Sequence, residues 1–437
     1  MKTIVVGAGL SGSLMAIYLA RAGHEVRLYE KRPDPRGSSA EGGRSINLAL
    51  STRGIHALEQ VSAARPVLAE SVAMRGRMMH SQAGKLRFQP YDAREDKAIR
   101  SVSRAGLNRH LIETADAETG VECVFGQACT GVDAAAGRVS FRGADGQTSS
   151  AEADLIIGAD GAFSAVRASF QRADRFDYDQ SYLTHAYKEL SIPPAEGGGF
   201  RLEKNALHIW PRGGFMMIAL PNADGSYTCT LFAPFEGDNS FASITSDGDV
   251  REYFEAHFPD ATPHMPTLIR DFRDNPTSSL MTVRCGPWHR AAHVCLIGDA
   301  AHAVVPFYGQ GMNASFEDCY LLSEALREHA PDVAAALAAF YSGRKEHADA
   351  LADLAIQNFI EMRDSVASPM FLAGKGLERT LHRTFPGWFV PLYSMVTFSR
   401  IPYADAVRRS HVQVPIARGI LIGIILLLIA ITWSAFR

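Results

Sequence analysis

The run Gly7-Ala8-Gly9-Leu10-Ser11-Gly12 constrains this chain more than any other feature of its sequence. It follows the apolar strand Ile4-Val5-Val6 and opens a stretch of helical character from Ser13 to Ala22. A second strand, Glu25 to Tyr29, leads to Glu30, 18 residues beyond Gly12. Glycines let the strand turn tightly into the helix and let a phosphate approach the helix N-terminus, where the dipole favours negative charge. A carboxylate ending the second strand is placed to accept bonds from ribose hydroxyls. The arrangement predicts a Rossmann-like βαβ unit that holds a dinucleotide. The motif alone does not choose FAD over NAD.

Beyond this unit the pattern divides a chain of 437 residues, long for one core, into two or three interlocking domains. A Gly/Ser/Arg-rich loop spans Pro33 to Arg44, and strand-like pieces follow at Arg75 to His80 and Leu86 to Tyr91. Leu107, Leu111, Ile112 and Ala115 repeat at helical spacing within Arg104 to Thr119. From about 178 to 285 short alternating strands such as Leu207–Trp210, Phe215–Leu220 and Tyr227–Phe232 are punctuated by turn residues, which predicts an antiparallel sheet. Helical patterns return at Ser315 to Arg327 and from Pro331 to about 365.

The expected fold class is therefore α/β, with a Rossmann-like dinucleotide-binding domain in three segments (1–70, 101–175 and 286–330). An inserted antiparallel β-sheet substrate domain covers 71–100 and 176–285, and a helical C-terminal region covers 331–415. The last element expected is a hydrophobic tail helix at 419–436.

That tail, GILIGIILLLIAITWSAF, carries no charge and would span roughly 27 Å as a helix. Arg408, Arg409 and Arg418 precede it and Trp433 lies near its far end. These features lead to the expectation of a C-terminal membrane anchor, with the body on the cytoplasmic face. A buried helix docked on the globular part is the alternative.

Composition excludes other classes. A net charge of −3 gives no basic face for nucleic acid. Six cysteines without any C-x-x-C spacing, and no His/carboxylate cluster at ligand spacing, point to no zinc, no disulfide framework and no metal. Neither a nucleophile elbow nor an acid/base pair is visible, so the chemistry is expected to belong to a cofactor. His302 is expected to pack within the nucleotide-binding domain rather than ligate a metal.

Two later segments carry a family resemblance. Asp154 to Arg167 reads DLIIGADGAFSAVR, and Val294 to Asn313 reads VCLIGDAAHAVVPFYGQGMN. With the first motif they resemble the signatures of the para-hydroxybenzoate-hydroxylase-like flavoprotein monooxygenases. The resemblance implies a bound, non-covalent FAD. Asp299 would contact its ribitol or ribose, Gly309 and Gly311 would bring backbone amides to the flavin ring, and Asp160 would sit near both FAD and the reduced nicotinamide. No second G-x-G-x-x-G is present, as expected where NADPH docks transiently.

Further matches run along essentially the whole chain: RSINLAL at 44–50, GRMMH at 76–80, QPY at 89–91, SVSR at 101–104, HIWPR at 208–212, PFYGQGMNASFEDC at 306–319, NFIEMRD at 358–364 and PLYSMVTFSRIPY at 391–403. This series resembles the kynurenine 3-monooxygenase family. The resemblance implies hydroxylation of L-kynurenine at the expense of NADPH and O₂ through a C4a-hydroperoxyflavin. Arg77 would bind the substrate carboxylate, with Tyr91, Asn358 and Tyr393 as further polar contacts. Ser11, Tyr29, Glu30, Lys31, Arg32, Ala49, Arg104, Cys129, Met312 and Asn313 would join Gly7, Gly9 and Gly12 around FAD. Phe307, Tyr308 and Met216 are expected as walls that keep water out. Two departures stand out: Asp92 and Ser315 occupy positions where that family usually has glycine.

Overall fold

The computed structural model describes residues 1–37, 47–92, 94, 96–172, 174–365 and 369–435. Arg44, Ser45 and Ile46 of the RSINLAL stretch, and most of the loop from Pro33 to Arg44, lie outside these residues. Lys2–Val6 forms the centre of a six-stranded sheet. It pairs in parallel with Glu25–Glu30 on one side and Leu155–Gly158 on the other, and Val121–Phe125 and Val294–Leu296 extend the two sides in parallel. His289–Arg290 closes one edge antiparallel. Strands buried on both faces must be apolar throughout, and Ile4, Val5, Val6, Leu155, Ile156 and Ile157 are all buried. The helices Leu10–Arg21, Arg104–Asp116 and Gly311–Glu328 pack in the same core.

A seven-stranded sheet runs in the order Ser278–Gly286, Asp177–Ile192, Tyr227–Pro234, Met216–Pro221, Ala206–Pro211, Gly76–His80, Leu86–Pro90. Three of its pairs are hairpins between sequence neighbours, and Asp177–Ile192 also pairs antiparallel with the distant Tyr227–Pro234 and Ser278–Gly286. One pair is not antiparallel: Ala206–Pro211 runs parallel to Gly76–His80, which makes the sheet mixed rather than purely antiparallel. Strands distant in sequence have no hairpin to dictate direction, and local alternation carries no record of it. Asn47–Leu50, Ile99–Ser103 and Val72–Met74 make a small antiparallel sheet beside it.

The 28-residue helix Val333–Ile360 is capped by Asp332, whose side chain accepts from the Ala335 amide. Leu392–Phe398 and a last helix, Tyr403–Ala435, follow the helix Pro369–Thr384. The expectation of a C-terminal membrane anchor is overturned here. Among the described residues no helix is long and apolar enough to cross a membrane. The apolar stretch does not begin a helix of its own: it continues one whose first half buries one face, with Tyr403, Ala404, Ala406, Ser410 and Gln413, against the body. Gln413 there donates to the Val390 carbonyl, and Pro415 sits inside the same helix. The side chains of Arg418 and of most of 420–437 lie outside the described residues.

Candidate flavin and substrate cavity

The turn after the first strand is built as the motif requires. Gly7 adopts φ +104° where a side chain would meet the Ala159 carbonyl at 2.6 Å, and a Cβ on Gly12 would sit 1.8 Å from the Gly7 carbonyl. Gly9, the N-cap of Leu10–Arg21, has open space where its side chain would be and makes no side-chain cap. The first helical amides therefore face an open approach with no acidic residue in the first turn, which suits a pyrophosphate. Glu30 closes the unit from the second strand, accepting from the Ala8 amide at 2.9 Å and from Arg32 Nε at 2.8 Å.

A cavity of about 410 Å³ runs from this turn to the seven-stranded sheet. It collects Gly9, Ser11, Ala49, Arg104, Asp299, Gly309, Gly311 and Met312 at one end, and Arg77, Tyr91, Tyr393, Phe307 and Tyr308 at the other. Residues far apart in the chain thus line one space. Gly298, at φ +58°, turns the backbone into Asp299, and a Cβ there would strike Ser11 Oγ at 2.8 Å and Ser315 Oγ at 3.0 Å. Ser315, one of the departures, lines the same space and donates to the Gly311 carbonyl.

At the far end Arg77 lies over the rings of Tyr393 (5.1 Å) and Tyr91 (5.7 Å), which stack on each other at 5.3 Å. Tyr308 also stacks on Tyr393, at 5.6 Å. Among the described residues the Arg77 Nε and the Tyr91 hydroxyl are buried with no hydrogen-bond partner. Burial works against the Arg77 charge, but Tyr393, Tyr91 and Glu361 around it more than compensate and hold its pKa up. Burial pushes the Tyr91 and Tyr308 hydroxyls well above the ordinary phenol range, so both stay protonated donors. A charged, fork-shaped donor and a free phenol facing a cavity are the groups a carboxylate requires.

Other expected residues fall behind this lining. Asn358 donates to the Phe307 carbonyl at 2.6 Å, so its amide is engaged in holding that wall. Asn313 ties the Ala49 and Gly309 carbonyls (2.8 and 2.9 Å) and accepts from the Ser51 amide, which fixes the flavin loop against Asn47–Leu50. Asp160 accepts from Ser164 Oγ and the Ala165 and Val166 amides, capping the helix Ala165–Phe170. Cys129 is half-buried with its thiol pushed up to about 12 by burial. Tyr29 is buried and stacks on Phe141 at 4.0 Å, whereas Lys31 and Arg32 are exposed beyond Glu30.

Met216 is not brought to the cavity. It shares a strand face with Ile218 and Leu220, which do line it, but lies further along that strand, buried with Phe232 and Phe359. His302 packs as expected, with Nε2 2.5 Å from Asp318, whose carboxylate also accepts from the Gly298 amide and Arg344 Nε. The sequence reading missed Ile218, Leu220, Thr228, Thr230 and Phe232, whose period-two spacing marks one sheet face. It also missed Glu361, the residue after the helix Val333–Ile360, whose charge acts on both Arg77 and Tyr308.

A dinucleotide turn, a glycine loop beside it and a shared aromatic cavity define the class of FAD-dependent aromatic monooxygenases. The family model described as FAD binding domain matches residues 1–355. The chain is 48% identical over 439 residues to the kynurenine 3-monooxygenase of Salinispora arenicola, covering 100% of this chain and 96% of that one. It is 48% identical over 400 residues to that of Myxococcus xanthus, covering 91% and 86%. Among solved structures, 2-methyl-3-hydroxypyridine-5-carboxylic acid oxygenase superposes with a TM-score of 0.68 at 25% identity, covering 87% of this chain and 97% of that chain. A probable FAD-dependent monooxygenase from Pseudomonas aeruginosa shares the fold, with a TM-score of 0.68 at 19% identity over 86% of this chain and 99% of that one. The chain belongs to the kynurenine 3-monooxygenase family of FAD-binding proteins.

Proposed function

We propose that this enzyme hydroxylates L-kynurenine to 3-hydroxy-L-kynurenine, consuming NADPH and O₂, with FAD held in the cavity described above. The observation that carries the substrate assignment is the buried, partner-free donor set of Arg77 Nε and the Tyr91 hydroxyl. An amino-acid carboxylate satisfies it, and the Glu361 carboxylate, close enough to act on Arg77 and Tyr308, supplies a counter-charge for the substrate ammonium. With the amino-acid end fixed there, the aryl ring lies among Ile218, Leu220, Phe232 and Phe307, side chains that exclude water.

Where bound, FAD supplies the redox and oxygen chemistry. Gly7, Gly9 and Gly12 admit its pyrophosphate, Glu30 and Asp299 its hydroxyls, and the backbone of Gly309, Gly311 and Met312 its ring. Arg104, Ser11 and Ala49 complete that lining. Asn358 and Asn313 act through what they hold: Phe307 in one case, the Gly309 loop in the other. No side chain here is needed as a general base, because the substrate's ring amine activates the carbon to be hydroxylated. We also infer the domain division given above, with the substrate domain contributing Arg77 and Ile218 and the helical region Tyr393.

The test is NADPH consumption by the purified FAD-loaded enzyme with and without L-kynurenine, the product being identified by mass and retention. The expected result is substrate-accelerated oxidation with 3-hydroxy-L-kynurenine formed in step. NADPH oxidation giving only hydrogen peroxide would leave the flavin assignment and remove the substrate.

A further inference from the structure

A second concavity, of about 920 Å³, lies against the same strand. Arg77 of Gly76–His80 lines the inner cavity while Met78 lines the outer one. Consecutive strand residues point to opposite faces, so this strand is the wall between them. The next strand repeats the division at its end: Tyr91 borders the inner space, and Pro90 and Asp92 the outer one.

The outer cavity is strongly cationic for a chain whose net charge is −3. Arg75, Arg94, Lys97, Arg379 and Arg383 line it, against the carboxylates of Asp92 and Glu203 alone among the described residues. One oxygen of each is engaged within the chain. Asp92 accepts from the Arg94 amide at 3.0 Å and from its Nε at 3.2 Å, and Glu203 accepts from the Asn205 amide at 2.9 Å. The guanidinium groups of Arg75, Arg379 and Arg383 have no ion-pair or hydrogen-bond partner among the described residues.

Arg379 and Arg383 stand at i and i+4 on Pro369–Thr384, a spacing at which like charges oppose helix formation. Gathering them with Arg75 in one concavity concentrates the positive potential where an anion would enter. The apolar part of the lining is equally specific: Met78, Pro90 and Phe88, the last left 44% exposed. An aromatic platform beside several free guanidiniums matches a ligand with a planar base and more than one phosphate.

We propose that this outer cavity binds an adenine nucleotide, with its phosphates on Arg75, Arg379 and Arg383 and its base against Phe88. The nucleotide has two possible sources, the adenosine-phosphate end of NADPH or a separate nucleotide acting as an effector. Only the first rests on the activity proposed above. Binding itself is measured without turnover, so its failure and the failure of that activity are separable.

The experiment is calorimetric titration of the FAD-loaded enzyme with 2′,5′-ADP and with inorganic phosphate. It is repeated on R379Q/R383Q, on R75Q, and on R251Q, which alters an exposed arginine outside the cavity. FAD content and Tm confirm that each variant is folded. The wild type and R251Q are expected to bind 2′,5′-ADP more tightly than phosphate, and the cavity variants to bind it about tenfold or more weakly. A matching rise in the KM for NADPH, with that for kynurenine unmoved, identifies the co-substrate as occupant. An unchanged KM for NADPH identifies a separate nucleotide. Binding of 2′,5′-ADP that is no tighter than phosphate, or that survives in R379Q/R383Q and R75Q, overturns the proposal.

Discussion

Replacing Arg77 by methionine separates a ligand-binding arginine from a structural one. In the structure the guanidinium is buried between Tyr91 and Tyr393, and its Nε has no partner. A carboxylate bound there makes two charge-assisted hydrogen bonds, each contributing about 1.5–3 kcal/mol. Even the lower figure for both bonds sums to about 3 kcal/mol, which corresponds to a loss of affinity beyond about a hundredfold. The folded protein loses little. Stacking of the cation on the tyrosines contributes roughly 0.5–2 kcal/mol, and removing a buried charge that lacks a full set of partners offsets it. Methionine keeps the length of the stem and its packing. The expected outcome is a KM for L-kynurenine raised at least about a hundredfold, with FAD content unchanged and Tm the same or higher. Steady-state kinetics with product quantification and a thermal melt measure both. An unchanged KM together with a fall in Tm would refute the reasoning and make Arg77 a cationic strut between two rings.

Substituting Asn358 with leucine leaves the Phe307 carbonyl unpaired and should cost about 1–3 kcal/mol of stability, with more NADPH spent on hydrogen peroxide; peroxide yield per NADPH checks it. G12A should abolish FAD retention, because its Cβ would sit 1.8 Å from the Gly7 carbonyl; the absorbance spectrum of the purified variant decides this. His208 is held down at about 4, first by burial, against 6.5 for the ordinary group. The unfolded chain therefore takes up this proton first, so its contribution to stability is full above 6.5 and is lost as pH falls from 6.5 towards 4. At most this is about 3 kcal/mol, and H208Q should flatten the Tm–pH curve in that window; a curve of unchanged slope would exclude His208 as the cause.

How much was legible in the sequence varied with how local the information was. The βαβ turn could be read in full, because each of its glycines answers a local steric demand that only glycine meets. The strands Ala206–Pro211, Met216–Pro221 and Tyr227–Pro234 were legible for the same reason, since period-two alternation is local. The parallel pairing of Gly76–His80 with Ala206–Pro211 was not, because it joins segments more than 120 residues apart through no hairpin. The apolar run after Gly419 met every compositional condition for a spanning segment, yet composition cannot show that the helix containing it begins by docking on the body.

By itself the sequence determined the dinucleotide unit, the flavin class and the residue types able to hold an amino-acid carboxylate. Those signals are short-range motifs and one family pattern. Tertiary structure alone decided which of the named residues share one space. It set Arg77 beside Tyr91 and Tyr393, packed Met216 in the core against lining residues rather than in the lining itself, and gave Asn358 and Asn313 backbone carbonyls to hold. The physical reason is that facing and distance are set by how separate strands and helices pack together, and no single stretch of chain encodes that packing.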